Sequence, residues 1–263
     1  MKVVAKTIFF CMAVGCAVST HAQDIPVAKM DIAGIKIGMT EADVLKAIKT
    51  FDGNAKIQRR TASYPYYDGV NSLSTPEFLS ELGASTADSR LTVYFASPPA
   101  EPRVYAVTRS SSNENPPSNE QFVSAITAKH GTASVRSLPR RGYEVVQWNE
   151  QGKPTCTVLK DRSGKLLPDQ SVGTLLPPNA VNVLEQQARQ QHPNLRLAMG
   201  SSIDAARCGT VLRYQWSGEP VRTFEAWLVD QGGMVTINRQ STEWVQQLEA
   251  DAVRKRQARG TTP

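Results

Sequence analysis

Asp31-Ile-Ala-Gly-Ile-Lys-Ile-Gly-Met-Thr-Glu-Ala-Asp-Val-Leu45 is the sharpest local signal in the chain of 263 residues. Ile32, Ile35 and Ile37 read as a short strand, broken at Gly34 and ended at Gly38. Thr40 then reads as a helix N-cap. Its hydroxyl can accept from the Asp43 amide, and Asp43 stands at the reciprocal capping-box position. Met39 before the cap and Val44 after it have the spacing of a hydrophobic staple. The stretch is a strand, a glycine turn and a helix: a folding device with no chemistry of its own.

On its N-terminal side the chain carries an address. Lys2 and Lys6 precede an apolar or small run over residues 7–18, and Thr20-His21-Ala22 places small residues where a signal peptidase reads. This predicts a secretory signal over residues 1–22, cleaved before Gln23. A second address competes with it, because Val14-Gly15-Cys16 resembles the end of a lipobox. Cleavage before Gln23 removes Cys11 and Cys16 and leaves Cys156 and Cys208. In an oxidising compartment that pair reads as one disulfide, the other reading being two separate buried thiols. The formal charge falls from +6 to +4, because Lys2 and Lys6 leave and no acid leaves with them. So small an excess, with export, argues against a nucleic-acid partner. No later apolar run is long enough for a transmembrane segment.

On its C-terminal side the stretch leads into a helix over residues 40–50 and a polar-faced strand over residues 56–62. An irregular insertion over residues 63–90 follows. It is expected to hold one small helix, with Thr75 as cap, Pro76 at the first position, Phe78, Leu79 and Leu82 on its apolar side and Gly83 as its stop. Residues 91–96 and 103–109 alternate as two strands of a hairpin. A second capped helix starts at Ser118, with Gln121 at the capping-box position, Phe122, Val123 and Ile126 inward and Gly131 as its stop. Strands are expected over residues 143–148, 155–159, 195–199, 208–216 and 221–229, and a helix over residues 179–190. Gly232-Gly233 reads as a turn and Ser241 as the cap of the last helix.

Strands in adjacent groups with helices between them predict an α+β fold, with antiparallel sheets and helices packed on one face. The pattern suggests two similar modules, residues 23–110 and residues 118–263. The second holds the cysteine pair and the terminal helix.

Chemistry is sparse. Once residues 1–22 are set aside, His130 and His192 stand alone. There is no Gly-x-Ser-x-Gly elbow, no His-Glu-x-x-His, no phosphate-cradling loop and no Cys-x-x-Cys for zinc. No catalytic residue, metal ligand or cofactor is assigned. The suggestive stretch is Ser63-Tyr-Pro-Tyr-Tyr-Asp-Gly69, whose Tyr64, Tyr66 and Tyr67 offer stiff amphipathic contact area of the sort enriched at recognition surfaces. The competing reading is that they fold back over the sheet. Arg254-Lys-Arg256 with Arg259 can meet anionic headgroups or an acidic partner, or simply complement a helix end.

At Gly34-Ile-Lys-Ile-Gly-Met-Thr-Glu-Ala-Asp-Val44 the chain resembles the small modules of the BamE/SmpA type, and the similar modules of secreted β-lactamase-inhibitor proteins. Lys129-His130-Gly131 is similar to a Lys-Tyr-Gly that closes a helix in many uncharacterised exported Gram-negative proteins. The resemblance implies a helix laid on an antiparallel sheet, and a non-enzymatic periplasmic adaptor whose partner is another envelope protein. Two other classes compete: a lipidated envelope-assembly accessory, and a hydrolase whose site no motif marks.

Overall fold

The opening stretch makes a tight turn instead of a strand. In the computed structural model, which describes residues 25–140, 143–153, 157–158, 174–175 and 207–260, Ile32 and Ile35 pair only with each other. Ala33 and Gly34 carry positive φ between them, and the Asp31 carboxylate accepts from the Gly34 amide at 2.8 Å. The isoleucine spacing is therefore that of two buried anchors astride a turn. Gly38 donates to the Val104 carbonyl and Val104 to that of Met39, which ties the turn to the sheet.

The capping box then forms as expected. Thr40 Oγ1 accepts from the Asp43 amide, the Thr40 amide donates to Asp43 Oδ2, and helix α1 runs over Glu41–Phe51. Helix α2 over Asn119–His130 repeats the device with Ser118 and Gln121, and stops at Gly131, whose φ is +80°. Each box is worth about 1 kcal/mol.

Among the described residues twelve strands follow the chain: β1 Lys56–Ala62, β2 Pro65–Tyr67, β3 Ser72–Ser74, β4 Phe78–Ser85, β5 Ser89–Phe95, β6 Val104–Ser112, β7 Val135–Arg140, β8 Tyr143–Asn149, β9 Thr157–Val158, β10 Thr174–Leu175, β11 Thr210–Ser217 and β12 Thr223–Asp230. Eight of them form one antiparallel sheet in the order β1-β4-β5-β6-β12-β11-β8-β7. On one side of its midline lie α1 and the run β1-β4-β5-β6, on the other α2 and the run β7-β8-β11-β12. The last strands of the two runs, β6 and β12, pair at the centre. The fold is α+β, as expected.

One face of the sheet carries the core. Val44 and Ile48 of α1 and Phe122 and Ile126 of α2 join Leu91, Val107, Leu212 and Leu228 of the sheet in a single buried cluster. Two tryptophans fasten α2 at both ends. Trp216 Nε1 donates to Asn119 Oδ1 and Trp148 Nε1 to the Gly131 carbonyl, each at 3.1 Å. The rings thus bury area while their N–H groups stay paired.

Three sequence expectations are corrected. Residues 63–90 are largely strand: they hold β2, β3 and β4, and β5 begins at Ser89. The helix expected after Thr75 is β4. Its Leu79 and Leu82 do face the same way at helical spacing, because Ser80 is an extra residue opposite the Arg60–Thr61 step, and this bulge resets the alternation. Gly83 sits inside the strand, opposite Gln58 and Thr92. The last helix, α3, spans Gln231–Gly260 and begins ten residues before Ser241. Its cap is Asp230, whose Oδ1 accepts from the Gly233 amide at 2.9 Å. The Gly232-Gly233 pair belongs to the first turn, since a Cβ at Gly233 would overlap the Asp230 carboxylate. Ser241 is buried mid-helix, where its hydroxyl donates to the Pro98 carbonyl at 2.6 Å and lies 2.8 Å from Ser97 Oγ. The helix expected over 179–190 and the strand over 195–199 lie outside the described residues.

Candidate functional site

The tyrosine stretch becomes a small hairpin standing off the main sheet. β2 and β3 pair as Pro65 with Ser74, Tyr66 with Leu73 and Tyr67 with Ser72. Its base is closed by Thr75, the residue expected to cap a helix: Thr75 Oγ1 accepts from the Tyr64 amide at 2.9 Å, and the Thr75 amide donates to the Tyr64 carbonyl. Its tip is an Asx turn. Asp68 Oδ1 accepts from the amides of Val70 and Asn71 at 2.9 and 2.6 Å, and Gly69 takes a φ of +93° that L residues avoid.

The three tyrosines do different things. Tyr64 packs against Phe78 with ring centres 5.1 Å apart, so it belongs to the hairpin's foundation. Tyr66 is half-buried and lines a groove of about 710 Å3 between the hairpin and the last turns of α3, with Leu73 on the hairpin and Leu248 and Ala252 on the helix. Tyr67 is 47% exposed, and Val70 beside it at the tip is 59% exposed. One tyrosine thus packs, one lines the groove and one is offered to solvent.

What holds the hairpin is the basic tail. Arg256 Nη1 donates to Asp68 Oδ2 at 2.8 Å. The Asn71 and Val70 amides, in that order, hold the Asp68 carboxyl down to about 2, and Arg256 adds to them. Arg254 pairs with Asp251 within the helix. Lys255 and Arg259 line the groove with Arg256, facing Asp68 and Asp251, so its lining carries a small cationic excess. Sequence reading missed Asp68 and Val70. Asp68-Gly69 is turn chemistry, but nothing local tells that a residue far along the chain reaches its carboxylate.

No family model, curated protein or solved structure matches this chain.

The other site residues separate. Cys208 is buried beside the start of β11, and Cys156 lies outside the described residues. His130 is no solvent-facing helix end. It is 2% exposed, and Nε2 lies 3.2 Å from the Tyr214 hydroxyl. Burial pushes its pKa down to about 4, with Lys129 adding to the shift and Asp31 opposing it. The ring is neutral and packed edge-on to Trp148. Among the described residues no three His, Cys, Asp or Glu side chains gather as a metal ion needs, and no helix is long and apolar enough to cross a membrane.

Proposed function

We propose that this chain is an exported, non-enzymatic binding protein of the bacterial envelope, whose contact element is the β2–β3 hairpin braced by α3. One observation carries the reading. Tyr67 and Val70, two of the five large hydrophobic side chains that stay exposed among the described residues, stand together on this one hairpin. A tip so apolar is unfavourable in water unless something covers it. The Asx turn and the Arg256 contact hold it in shape before it meets a partner, which lowers the ordering cost of binding. An aromatic and an aliphatic anchor, with Lys255 and Arg259 in the groove beside them, suit a protein surface with an apolar pocket and some acidic surroundings.

The export signal over residues 1–22, the periplasmic location and the Cys156–Cys208 bridge belong to the same proposal. Once residues 1–22 are removed, Cys156 and Cys208 are the two cysteines left, a pair that an oxidising compartment favours joining. The Gly-Met-Thr resemblance and the order of strands on either side of the midline support a reading as two related modules.

The test is site-specific photo-crosslinking in cells producing the full chain, with the photoreactive residue at position 67 or 70, and at exposed Lys49 of α1 as control. A discrete adduct from the tip, absent from position 49, is expected. No adduct at either tip position, or the same pattern from position 49, overturns the contact element. Tyr64 is left unchanged because its ring supports the fold. Mass spectrometry of the mature N-terminus is expected to begin at Gln23. An acylated Cys16 would overturn the unlipidated form, and an intact residue 1 would overturn export.

A further inference from the structure

A second feature lies on the other side of the molecule, on the sheet face that carries the core. Arg109 of β6 points into that face, in the row where Leu91 and Ala226 flank it on β5 and β12. Arg109 is half-buried there, and a charge drawn partly out of water is costly without hydrogen-bond partners. Arg109 makes no ion pair among the described residues, and Asp88 is the acid whose charge acts on it. Its Nε and Nη2 donate to the Ser89 hydroxyl at 3.3 and 3.0 Å, and Nη2 lies 3.3 Å from Ser111 Oγ. Its plane rests on two rings, with the guanidinium carbon 4.9 Å from the Phe51 centroid and 5.2 Å from that of Phe224. Four neutral groups thus hold the cation in place without neutralising it. Nη1 has no hydrogen-bond partner among the described residues.

Arg109 lines a groove of about 650 Å3 between α1 and the Lys129 end of α2. The groove is an ordinary size for a small ligand. Met39, Ala47 and Phe51 make its apolar wall, and Lys46 and Lys129 stand in its lining. Its one acid, Asp43, is engaged by the Thr40 amide and hydroxyl. Lys129 pairs with Asp31, so the charge left over is that of Arg109 and Lys46.

We infer that this groove binds a small anionic amphiphile, a monocarboxylate with an aliphatic tail. The carboxylate meets Arg109 and the tail lies along Met39, Ala47 and Phe51. A carboxylate oxygen suits the free Nη1 of a guanidinium already fixed by the serines and the rings. The apolar wall excludes a bare inorganic anion as the best occupant. The site is separate from the hairpin and does not depend on it.

The test is isothermal titration of the purified mature protein with decanoate, decanol, decyltrimethylammonium and acetate, below micelle concentration, and with phosphatidylglycerol vesicles. Saturable one-to-one decanoate binding is expected, tighter than that of the other three small molecules. Arg109→Gln, shown folded by circular dichroism, is expected to weaken it about ten-fold or more. Lys46→Glu, on an exposed position that folding does not use, is expected to weaken it by about three-fold and to steepen its salt dependence less than wild type. Decanol binding as tightly as decanoate, acetate competing equally, or binding only to vesicles would overturn the inference. So would decanoate affinity unchanged in both variants.

Discussion

Arg256 Nη1 reaches Asp68 Oδ2 at 2.8 Å across 188 residues of sequence, and this contact joins the end of the last helix to the tip of the tyrosine hairpin. The two residues contribute unequally. Arg256 is 42% exposed at its side chain and loses one screened contact when truncated, whereas Asp68 also holds the Asx turn. Arg256→Ala is expected to cost under about 1 kcal/mol. Asp68→Ala is expected to cost more, because two turn amides lose their acceptor. Hydrogen exchange should speed up at residues 65–74 in both variants, with global unfolding by urea changed little. Unchanged exchange in Arg256→Ala would show that the helix does not brace the hairpin.

His130 sets an acid limit on stability. Its folded pKa of about 4 lies below the ordinary 6.5, so between those values the unfolded chain binds a proton that the folded one refuses. Stability therefore rises with pH across that window and falls on acidification through it. From about pH 7 to about pH 5 the loss from this group is at most about 2 kcal/mol. Asp31 and Asp68, both lowered, lose their contribution only below the usual carboxylate range. In His130→Gln, which can still pair with Tyr214, the urea midpoint should depend less on pH over the His130 window. An unchanged slope would place the acid sensitivity elsewhere.

The join of β12 and α3 turns on a residue without a side chain. Gly233→Ala puts a methyl group where the Asp230 carboxylate sits, so the cap must be released. A loss of about 1–2 kcal/mol is expected, similar to that of Asp230→Ala. The double variant should cost little more than either alone, since both remove one cap. Additive losses in thermal unfolding would argue against the shared mechanism.

Arg213 offers the opposite sign. It is 2% exposed on the sheet face away from α1 and α2, its Nε donates to Gln147 Oε1 at 2.7 Å, and its Nη2 has no hydrogen-bond partner among the described residues. Burial pushes its pKa down to about 10. A buried cation without a carboxylate is destabilising, and an apolar residue of similar length removes that cost. Arg213→Met is expected to unfold at the same or a higher urea concentration than wild type. A loss of about 3 kcal/mol or more would show that the guanidinium contributes to the fold despite its unpaired amino group.

Much of this protein follows from its sequence because local physics decides it. Thr40 with Asp43, and Ser118 with Gln121, fix where two helices begin through hydrogen bonds that span three residues. Strict alternation gives β5 and β6, and Ser217-Gly-Glu-Pro220 gives the β11–β12 hairpin. The α+β class is legible from the same patterns.

Tertiary structure decides the rest, wherever two non-local surfaces compete for one pattern. Leu79 and Leu82 have helical spacing, but a bulge against β1 makes that spacing serve a strand. Ser241 has the residue type of a cap, yet Asp230 captures the helix start and Ser241 is spent on Pro98. His130 stands in the last turn of α2 and is a neutral core ring, because Trp148 of β8 and Tyr214 of β11, distant in sequence, pack against it. The groove at Arg109 was illegible for the same reason. Its serines, rings and lysines come from five separate stretches, and only the pairing of β5, β6 and β12 under two helices brings them around one guanidinium.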